Sequence, residues 1–340
     1  MPLYQFILRR ILFVIPLLIG ITLVAFLIAN AVPADPINAN LPQSQLNNPE
    51  IVEAFRREWG LDKSPVEQYL TYLGNILRGN LGRSIKTRQP IADDIGRFLP
   101  ATIELATAGT LAGVTIGITL GVVSAVWYNR PVDFAARTVS LVGVSVPVFV
   151  LALLGLVIFH AQLRWVAGPG RLSARIASPP EVTGFMTVDA LLAGQWTTFG
   201  DAISHLILPA TVLGLYISGI IARVTRSSML EVLGQDYMRT ARSKGLHERV
   251  VILRHAFRNA LMPVVTVIGL SYGNLLAGAV LTESIFAWPG IGRYMFRAST
   301  SQDFPAIMGV SILIATIYVV VNLVVDILYY FLDPRIRTAR

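Results

Sequence analysis

Long apolar runs alternate with polar segments along the whole chain. Each run is about 20 residues long, the length that a helix needs to cross roughly 30 Å of hydrocarbon. The pattern predicts an all-α integral membrane protein with six transmembrane helices. The predicted spans are residues 11–30, 101–126, 138–159, 203–222, 261–281 and 307–332.

The polar segments predict how the chain is organised. Residues 1–30 form an N-terminal tail and the first span, and residues 31–100 form a segment large enough to fold outside the membrane. Residues 101–340 form a five-span core, which includes a long polar loop at residues 223–260. A shorter stretch, residues 286–293, is aromatic and is expected to lie at the membrane surface, where such rings favour the headgroup level.

Composition agrees with a membrane protein, because 54% of the residues are hydrophobic, 14% are charged and the mean hydropathy is +0.61. The net charge of +8 is confined to alternate polar segments. The net positive segments are residues 1–10, 127–137, 223–260 and 333–340, and the segments that balance to zero are 31–100, 160–202 and 282–306. Positive loops stay in the cytoplasm, so we predict that both termini are cytoplasmic. The same one-sided distribution argues against nucleic-acid binding.

Several classes of chemistry are excluded by what the sequence lacks. No cysteine is present, which rules out disulfides and Cys-ligated metal sites. There is no P-loop motif, so the chain is not expected to bind ATP itself. The four histidines show no metal-ligand spacing. We therefore predict no catalytic residues, no metal site and no cofactor.

A glycine repeat marks the second span. Gly109, Gly113, Gly117 and Gly121 recur every four residues and therefore share one face of a helix. A face without side chains lets another helix approach closely. The repeat predicts helix packing inside this subunit, an interface with another subunit, or a sliding face near a translocation pathway.

Glu104 and Asp326 are the only Asp, Glu, Lys or Arg residues inside the predicted spans. Charged groups in a membrane indicate functional sites by default, but both lie near the end of a span, which favours a structural hydrogen bond or ion pair. Ion-coupled carriers usually place charges in the middle of the bilayer. This chain has almost none there, so its energy source is expected to lie in another protein.

The loop at residues 223–260 contains start and stop signals for two helices. Asp236 suits the start of a short helix, Arg242 and Lys244 lie near its end, and Gly245 supplies a left-handed cap. A second helix begins near residue 247, and Pro263 predicts a break or kink after it. The residues expected on one face of that helix are Val250, Leu253, Phe257, Ala260 and Leu261. A basic loop of this kind either docks on a cytoplasmic protein or lies on anionic lipid.

The sequence Arg239-Thr240-Ala241, three further residues and Gly245, followed by Leu261-Met262-Pro263, resembles the EAA loop of ABC importer permeases. The whole chain resembles the dipeptide/oligopeptide branch of that family. The matching stretches are residues 6–10, 33–36, 60–62, 79–84, 225–232, 236–246, 255–260, 263–266, 285–293 and 332–337. Arg239 stands where the EAA core has Glu, and the spacing to Pro263 is longer than in the short general form. Both departures resemble the peptide branch, so no contact of that Glu is carried over to Arg239.

The resemblance implies an ABC type I importer permease in the bacterial inner membrane. Its partners would be a second, similar permease, two cytoplasmic ABC ATPases and an extracytoplasmic peptide-binding protein. The coupling residues that it implies are Asp236, Arg239, Thr240, Ala241, Arg242, Lys244 and Gly245. They would form a helix that lies in a cleft of one ATPase. The alternative function is an ion-coupled carrier or channel, and the exact solute stays open.

Overall fold

The computed structural model describes residues 3–31, 37, 41–59 and 63–332. Within these residues the regular secondary structure is helical, as the predicted all-α class requires. One isolated β-bridge joins Arg83 and Pro90. The helices in chain order are α1 Leu3–Ala31, α2 Gln43–Leu46, α3 Pro49–Trp59, α4 Pro65–Leu77, α5 Ile91–Val126, α6 Pro131–Ser145, α7 Val148–Gly155, α8 Met186–Leu192, α9 Trp196–Leu233, α10 Asp236–Ser243, α11 Glu248–Val250, α12 Arg258–Gly278, α13 Val280–Ile285, α14 Ile291–Thr300 and α15 Phe304–Leu332. Two π-helical segments, Leu156–Gln162 and Val251–Phe257, follow α7 and α11.

Four helices in the described part of the chain are long and apolar enough to cross a membrane. They are Ile91–Val126, Trp196–Leu233, Glu248–Ala277 and Phe304–Leu328. A bent pair, Pro131–Ser145 with Val148–Gln162, makes a fifth span if its two parts are counted together. The apolar stretch of α1, Leu12–Val24, is shorter than these. The membrane class is therefore as predicted, and the count of six spans stays a prediction.

The predicted third span, residues 138–159, is not one straight helix. Its two parts, α6 and α7, meet at an angle of 99°. Pro147 lies at the junction, and a proline disfavours a helical conformation of the residue before it. Val146 is accordingly extended, with φ −83° and ψ 127°. Hydropathy is uniform across this turn and does not reveal it.

The central helix is α9, which has 72% of its apolar stretch buried, against 17% for α15. One side of α9 fills the glycine face of α5. A Cβ on Gly109 would lie 3.1 Å from Leu213 Cβ, and one on Gly121 would lie 2.5 Å from Thr225 Cβ. Gly113 and Gly117, between them in the repeat, face the next two turns of α9 in the same way. The groove is therefore filled within the subunit, which is one of the alternatives that the repeat allowed.

The polar segment that precedes α5 is attached to the first helix. Tyr69 of α4 donates from its hydroxyl to Ile19 O at 3.1 Å, and Thr22 Oγ1 lies 3.0 Å from the same hydroxyl oxygen. The ring of Phe26 contacts the ring of Tyr69, with centroids 5.5 Å apart. Part of residues 31–100 thus packs against α1, and its location outside the cytoplasm stays a prediction.

Candidate functional site

The helix α10 is the short helix that the loop at residues 223–260 predicts. It begins at Asp236 and ends at Ser243, and Gly245 follows it with a left-handed φ of 75°. Glycine adopts that φ without strain, as the predicted cap requires. Asp236 Oδ1 and Arg239 Nη1 lie 3.7 Å apart on the outward face, with side chains 94% and 80% exposed. An ion pair this exposed adds little stability. Both charged groups are therefore accessible to a partner.

The inward face of α10 anchors it to the helix bundle. Met238 is fully buried and Ala241 is 8% exposed. Both belong to an apolar cluster, which we call the seat of α10, with Ala125, Met229, Val251, Ala256 and Ala260. The seat joins the ends of α5 and α9 and the start of α12. Ala241 therefore supports α10 from beneath, whereas the exposed members of the predicted coupling set are Asp236, Arg239, Thr240, Arg242, Lys244 and Gly245.

The second predicted helix differs from its prediction. It starts as α11 and continues through the π-helical segment Val251–Phe257 into α12. Val250 and Leu253 are 39% and 61% exposed, whereas Ala260 is buried. These residues do not share one face, because the wider π turn rotates the residues that follow it. Pro263 lies inside α12 rather than at a break.

Arg242 joins α10 to α11 across the turn at Gly245. Its Nη2 donates to Glu248 Oε1 at 2.9 Å. A second link joins α10 to α12, where Asn259 Nδ2 donates to Tyr237 Oη at 3.1 Å. The three helices at this end are thus connected by polar contacts as well as by the seat.

A buried carboxylate that the sequence pattern did not reveal lies beside the seat. Asp133, in the first turn of α6, is fully buried. Arg226 of α9 donates to it from Nε at 3.1 Å and from Nη2 at 3.0 Å. Ser124 Oγ donates to it at 2.5 Å and Asn129 N at 3.0 Å. These bonds tie α5, α6 and α9 together about one turn from Met229 of the seat.

At the opposite end of the bundle, Glu104 of α5 is held in an ion pair. Arg171 Nη2 donates to Glu104 Oε2 at 2.5 Å and to Gly184 O at 3.0 Å. Thr187 donates to Glu104 Oε1 from its backbone N at 2.8 Å and from its hydroxyl at 2.7 Å. These contacts hold the loop between α7 and α9 against α5. Glu104 therefore forms a structural ion pair, one of the two alternatives that its position allowed.

Ser173 of that loop meets Asp201 and His205 of α9, but the three do not form a catalytic triad. The Ser173 hydroxyl donates to Asp201 Oδ1 at 2.7 Å, so its proton points to the carboxylate and not to the imidazole. His205 Nδ1 lies 2.8 Å from Gly168 O, which takes the position that a triad aspartate would occupy. The three side chains fold the loop onto α9.

Glu283 of α13 is a second fully buried carboxylate. Thr102 Oγ1 donates to its Oε1 at 2.7 Å, and Arg293 N donates to its Oε2 at 2.8 Å. The loop after α13 passes so close that a Cβ on Gly292 would lie 3.0 Å from Oε2, and a Cβ on Gly290 would overlap the carboxylate. Glu283 therefore holds the loop between α13 and α14 against α5.

The aromatic residues of the same loop lie inside the protein. Trp288 is 1% exposed and Phe286 is 2% exposed. Trp288 Nε1 donates to Ala101 O at 2.8 Å. The aromatic rings of residues 286–293 are therefore packed against neighbouring helices. Their location at the membrane surface stays a prediction.

Asp326 lines a cavity of about 620 Å³ between α1 and α15. The other polar residues of α15 in this cavity are Ser311, Tyr318 and Asn322. Asp326 thus faces the first helix. No group of three or more His, Cys, Asp or Glu side chains that could hold a metal occurs in the described ranges.

Comparison with known proteins gives matches over almost the whole chain. Residues 117–338 match the family described as binding-protein-dependent transport system inner membrane component, and residues 3–106 match the N-terminal domain described for membrane components of these systems. This chain belongs to that permease family. The di/tripeptide transport system permease protein DppB of Pseudomonas aeruginosa is 44% identical over 99% of each chain. The probable D,D-dipeptide transport system permease protein DdpB of Escherichia coli is 43% identical over 93% of each chain.

Membership in the permease family confirms the resemblance to dipeptide/oligopeptide permeases of ABC importers. The longer match, residues 117–338, contains α10, the seat and the cluster around Asp133. The permease is therefore the membrane component of a binding-protein-dependent transport system. The match assigns no role to the single residues of α10.

Glu283 is expected to make the stability of the permease depend on pH. Burial is the main cause that raises the pKa of this carboxyl from 4.5 to about 7, against the opposing effect of its hydrogen bonds. Because the pKa is higher in the folded protein, the contribution of Glu283 is fully present below pH 4.5 and is lost as the pH rises through about 7. We expect the thermal midpoint of the purified permease to fall over this range, measured by the loss of the monodisperse peak after heating.

Glu283→Gln is the matched control, because it keeps the shape of the side chain and does not ionise. The thermal midpoint of this variant should fall less than that of the native protein as the pH rises from 4.5 to about 7. Equal slopes for the native protein and the variant would show that Glu283 does not titrate in this range.

Proposed function

We propose that this permease is one of two similar membrane subunits of an ATP-driven importer of dipeptides or short oligopeptides. The names of the relatives support this substrate class, since they describe di/tripeptide and D,D-dipeptide transport. The partners are a second permease, two cytoplasmic ABC ATPases and an extracytoplasmic peptide-binding protein. The complex lies in the bacterial inner membrane, and the permease contributes half of the translocation pathway and no catalytic residue.

The construction of α10 is the observation that carries the coupling role. A helix that lies on lipid directs its apolar face outward, into the acyl chains. In α10 the apolar residues Met238 and Ala241 point into the seat, and the exposed positions include the charged side chains of Asp236 and Arg239. This orientation favours a protein partner over a membrane surface. We assign the outward face of α10 to contact with an ATPase.

The contacts around α10 connect it mechanically to the membrane helices α5 and α9. A push on α10 reaches Met229 of α9 and Ala125 of α5 directly, because both belong to the seat. Densely packed elements move together rather than deform. Closure of the ATPases would therefore tilt α5 and α9 as one body, which is the kind of rigid-body motion that switches a two-state bundle.

The same proposal fixes the orientation. The end of the bundle that contains α10 and the positive loop at residues 223–260 faces the cytoplasm, and both termini lie on that side. The end that contains Glu104 and Glu283 faces outward, together with residues 31–100. The five-span core at residues 101–340 then carries the coupling loop, as the division into segments predicts.

Charge reversal at Arg239 tests the coupling role. In proteoliposomes that contain the complete importer, we expect Arg239→Glu to lower ATP-dependent dipeptide uptake and the amount of co-purified ATPase at least about tenfold, because it reverses a charge at the interface. The side chain of Arg239 is 80% exposed, so folding of the permease should not change.

Arg254→Glu is the control, since Arg254 is an exposed residue of the same polar loop that lies outside α10. It reverses the same charge and should leave uptake and ATPase binding near the native level. Equal losses for the two variants would indicate attraction to anionic lipid instead of docking. Uptake that follows an imposed proton gradient without ATP would contradict the importer itself and favour the ion-coupled carrier.

A further inference from the structure

A second cavity lies at the end of the bundle opposite α10. It has a volume of about 480 Å³ and is lined by the start of α5, by α14 and by the turn at residues 84–87. Small-molecule sites usually have volumes of several hundred cubic ångströms. The cavity is therefore large enough for a ligand of the size of a dipeptide.

Three cationic side chains line this cavity: Lys86, Arg293 and Arg297. Among the side chains that the structure describes, no carboxylate forms an ion pair with any of them. The acidic residue in the lining is Asp303, which is 1% exposed. Its Oδ2 accepts from Ser84 Oγ at 2.6 Å and from the backbone N of Lys86 at 3.0 Å, so its charge is engaged with neutral donors.

The positive charge of the cavity is incompletely compensated. Burial, followed by the neighbouring charge of Arg297, lowers the pKa of the Arg293 guanidinium, and the attraction of Glu283 opposes this only in part. The guanidinium of Arg293 donates one hydrogen bond within the described part of the chain, from Nη1 to Ala287 O at 2.6 Å. A bound anion would relieve the repulsion between the two arginines and accept from their remaining N–H groups.

One wall of the cavity is aromatic and held in place. The rings of Phe98 and Tyr294 stack with centroids 5.1 Å apart and an angle of 26°. Tyr294 is 6% exposed, and its hydroxyl donates to Asp94 Oδ2 at 2.9 Å. The wall is therefore formed before any ligand arrives. Cationic side chains beside a fixed aromatic wall suit an anionic group that is attached to an apolar one.

We propose that this cavity binds the C-terminal carboxylate of a short peptide on the side from which the peptide is taken up. The proposal rests on the proposed function in peptide import and adds a site on the permease itself. The volume of the cavity favours a small ligand over an acidic side chain of a partner protein, which would leave most of the volume empty. Arg293 and Arg297 bind the carboxylate, and the Phe98–Tyr294 wall contacts the last side chain.

The test measures peptide binding to the assembled importer in nanodiscs without its binding protein, by saturation-transfer NMR. The probes are dialanine and dialanine amide, which differ only in the terminal carboxylate. We expect dialanine to bind and the amide to bind at least about tenfold more weakly, because the amide cannot form charge-assisted hydrogen bonds. Arg293→Gln and Arg297→Gln should each weaken dialanine binding about fivefold or more.

The matched control is Arg83→Gln, which removes the same charge from an exposed residue close to the turn at residues 84–87 but outside the cavity. It should leave dialanine binding unchanged. Equal binding of acid and amide, or an equal effect of Arg83→Gln, would overturn the proposal. Displacement of dialanine by added phosphatidylglycerol, with loss of bound lipid in Arg293→Gln, would also overturn it and assign the site to lipid phosphate.

A third outcome separates this proposal from the function on which it rests. If Arg297→Gln weakens association of the binding protein but not binding of dialanine, the cavity is a docking surface, and the carboxylate site is wrong while peptide import stands. If the complete importer takes up no peptide with ATP, both proposals fail together.

Discussion

Replacing Gly121 with alanine is expected to destabilise the permease by about 3 kcal/mol. The added Cβ would lie 2.5 Å from Thr225 Cβ and 2.7 Å from Ala222 O. Both atoms are fixed to the backbone of α9, so no side-chain rotation relieves the contact and the two helices must separate. Alanine is otherwise the better helix former by about 1 kcal/mol. A loss of stability would therefore identify the close contact as its cause.

Gly96→Ala is the matched control on the same helix. A Cβ on Gly96 meets no heavy atom within 4 Å, so this variant should be as stable as the native permease or slightly more stable. The measurement is the thermal midpoint of each purified variant in one detergent. Equal midpoints for Gly121→Ala and Gly96→Ala would contradict direct packing of α5 on α9.

The features that the sequence predicts well are those with a local signal. The spacing of the four glycines places them on one face of α5 whatever the rest of the protein does. Asp236 and Gly245 are the first and last residues of one ten-residue segment. Asp236 begins α10 and Gly245 caps it, and both act on the backbone next to them. At Pro147 the prediction from local sequence is wrong. The residues on both sides of it are apolar, so their pattern predicts one straight span at residues 138–159, although the chain bends at this proline.

Features that depend on distant parts of the chain could not be predicted in this way. Thr102 and Glu283 are separated by 181 positions, and no pattern near either residue indicates the other. Trp288 shows the same limit, since an aromatic ring at the membrane surface and one buried against α5 have the same local sequence. The π-helical segment Val251–Phe257 is set by packing beneath α10, and it shifted the face predicted for the second helix.

Removing the carboxylate of Asp133 should have the largest effect of any substitution near the seat. Asp133 accepts hydrogen bonds from Arg226, Ser124 and Asn129 in a fully buried site. The Arg226 side chain is 22% exposed and lies over the Tyr128 ring at 5.3 Å, so it cannot turn fully into solvent without losing that contact. Breaking a buried pair by removing one partner typically costs about 3–5 kcal/mol. We expect a loss of this size for Asp133→Ala, measured by denaturant or thermal unfolding of the purified permease.

A second arginine on the same carboxylate provides the control. Arg137 Nε lies 3.2 Å from Asp133 Oδ1, but its side chain is 52% exposed and it is one helical turn away. Exposed pairs of this kind contribute about 0.3–0.5 kcal/mol. Arg137→Ala should therefore be nearly as stable as the native protein, and a loss as large as that of Asp133→Ala would contradict the dependence on burial.

The seat gives Asp133→Ala a second expected result. Ser124 adjoins Ala125, and Arg226 lies about one helical turn from Met229, so loosening the cluster releases two residues that hold α10. Co-purification of the ATPase should fall in Asp133→Ala and stay near the native level in Arg137→Ala. Replacing both members of the buried pair, in Asp133→Leu with Arg226→Met, should recover part of the stability, because no unpaired charge remains. If stability returns without ATPase binding, the ion pair itself sets the position of α10; if both return together, packing alone is sufficient.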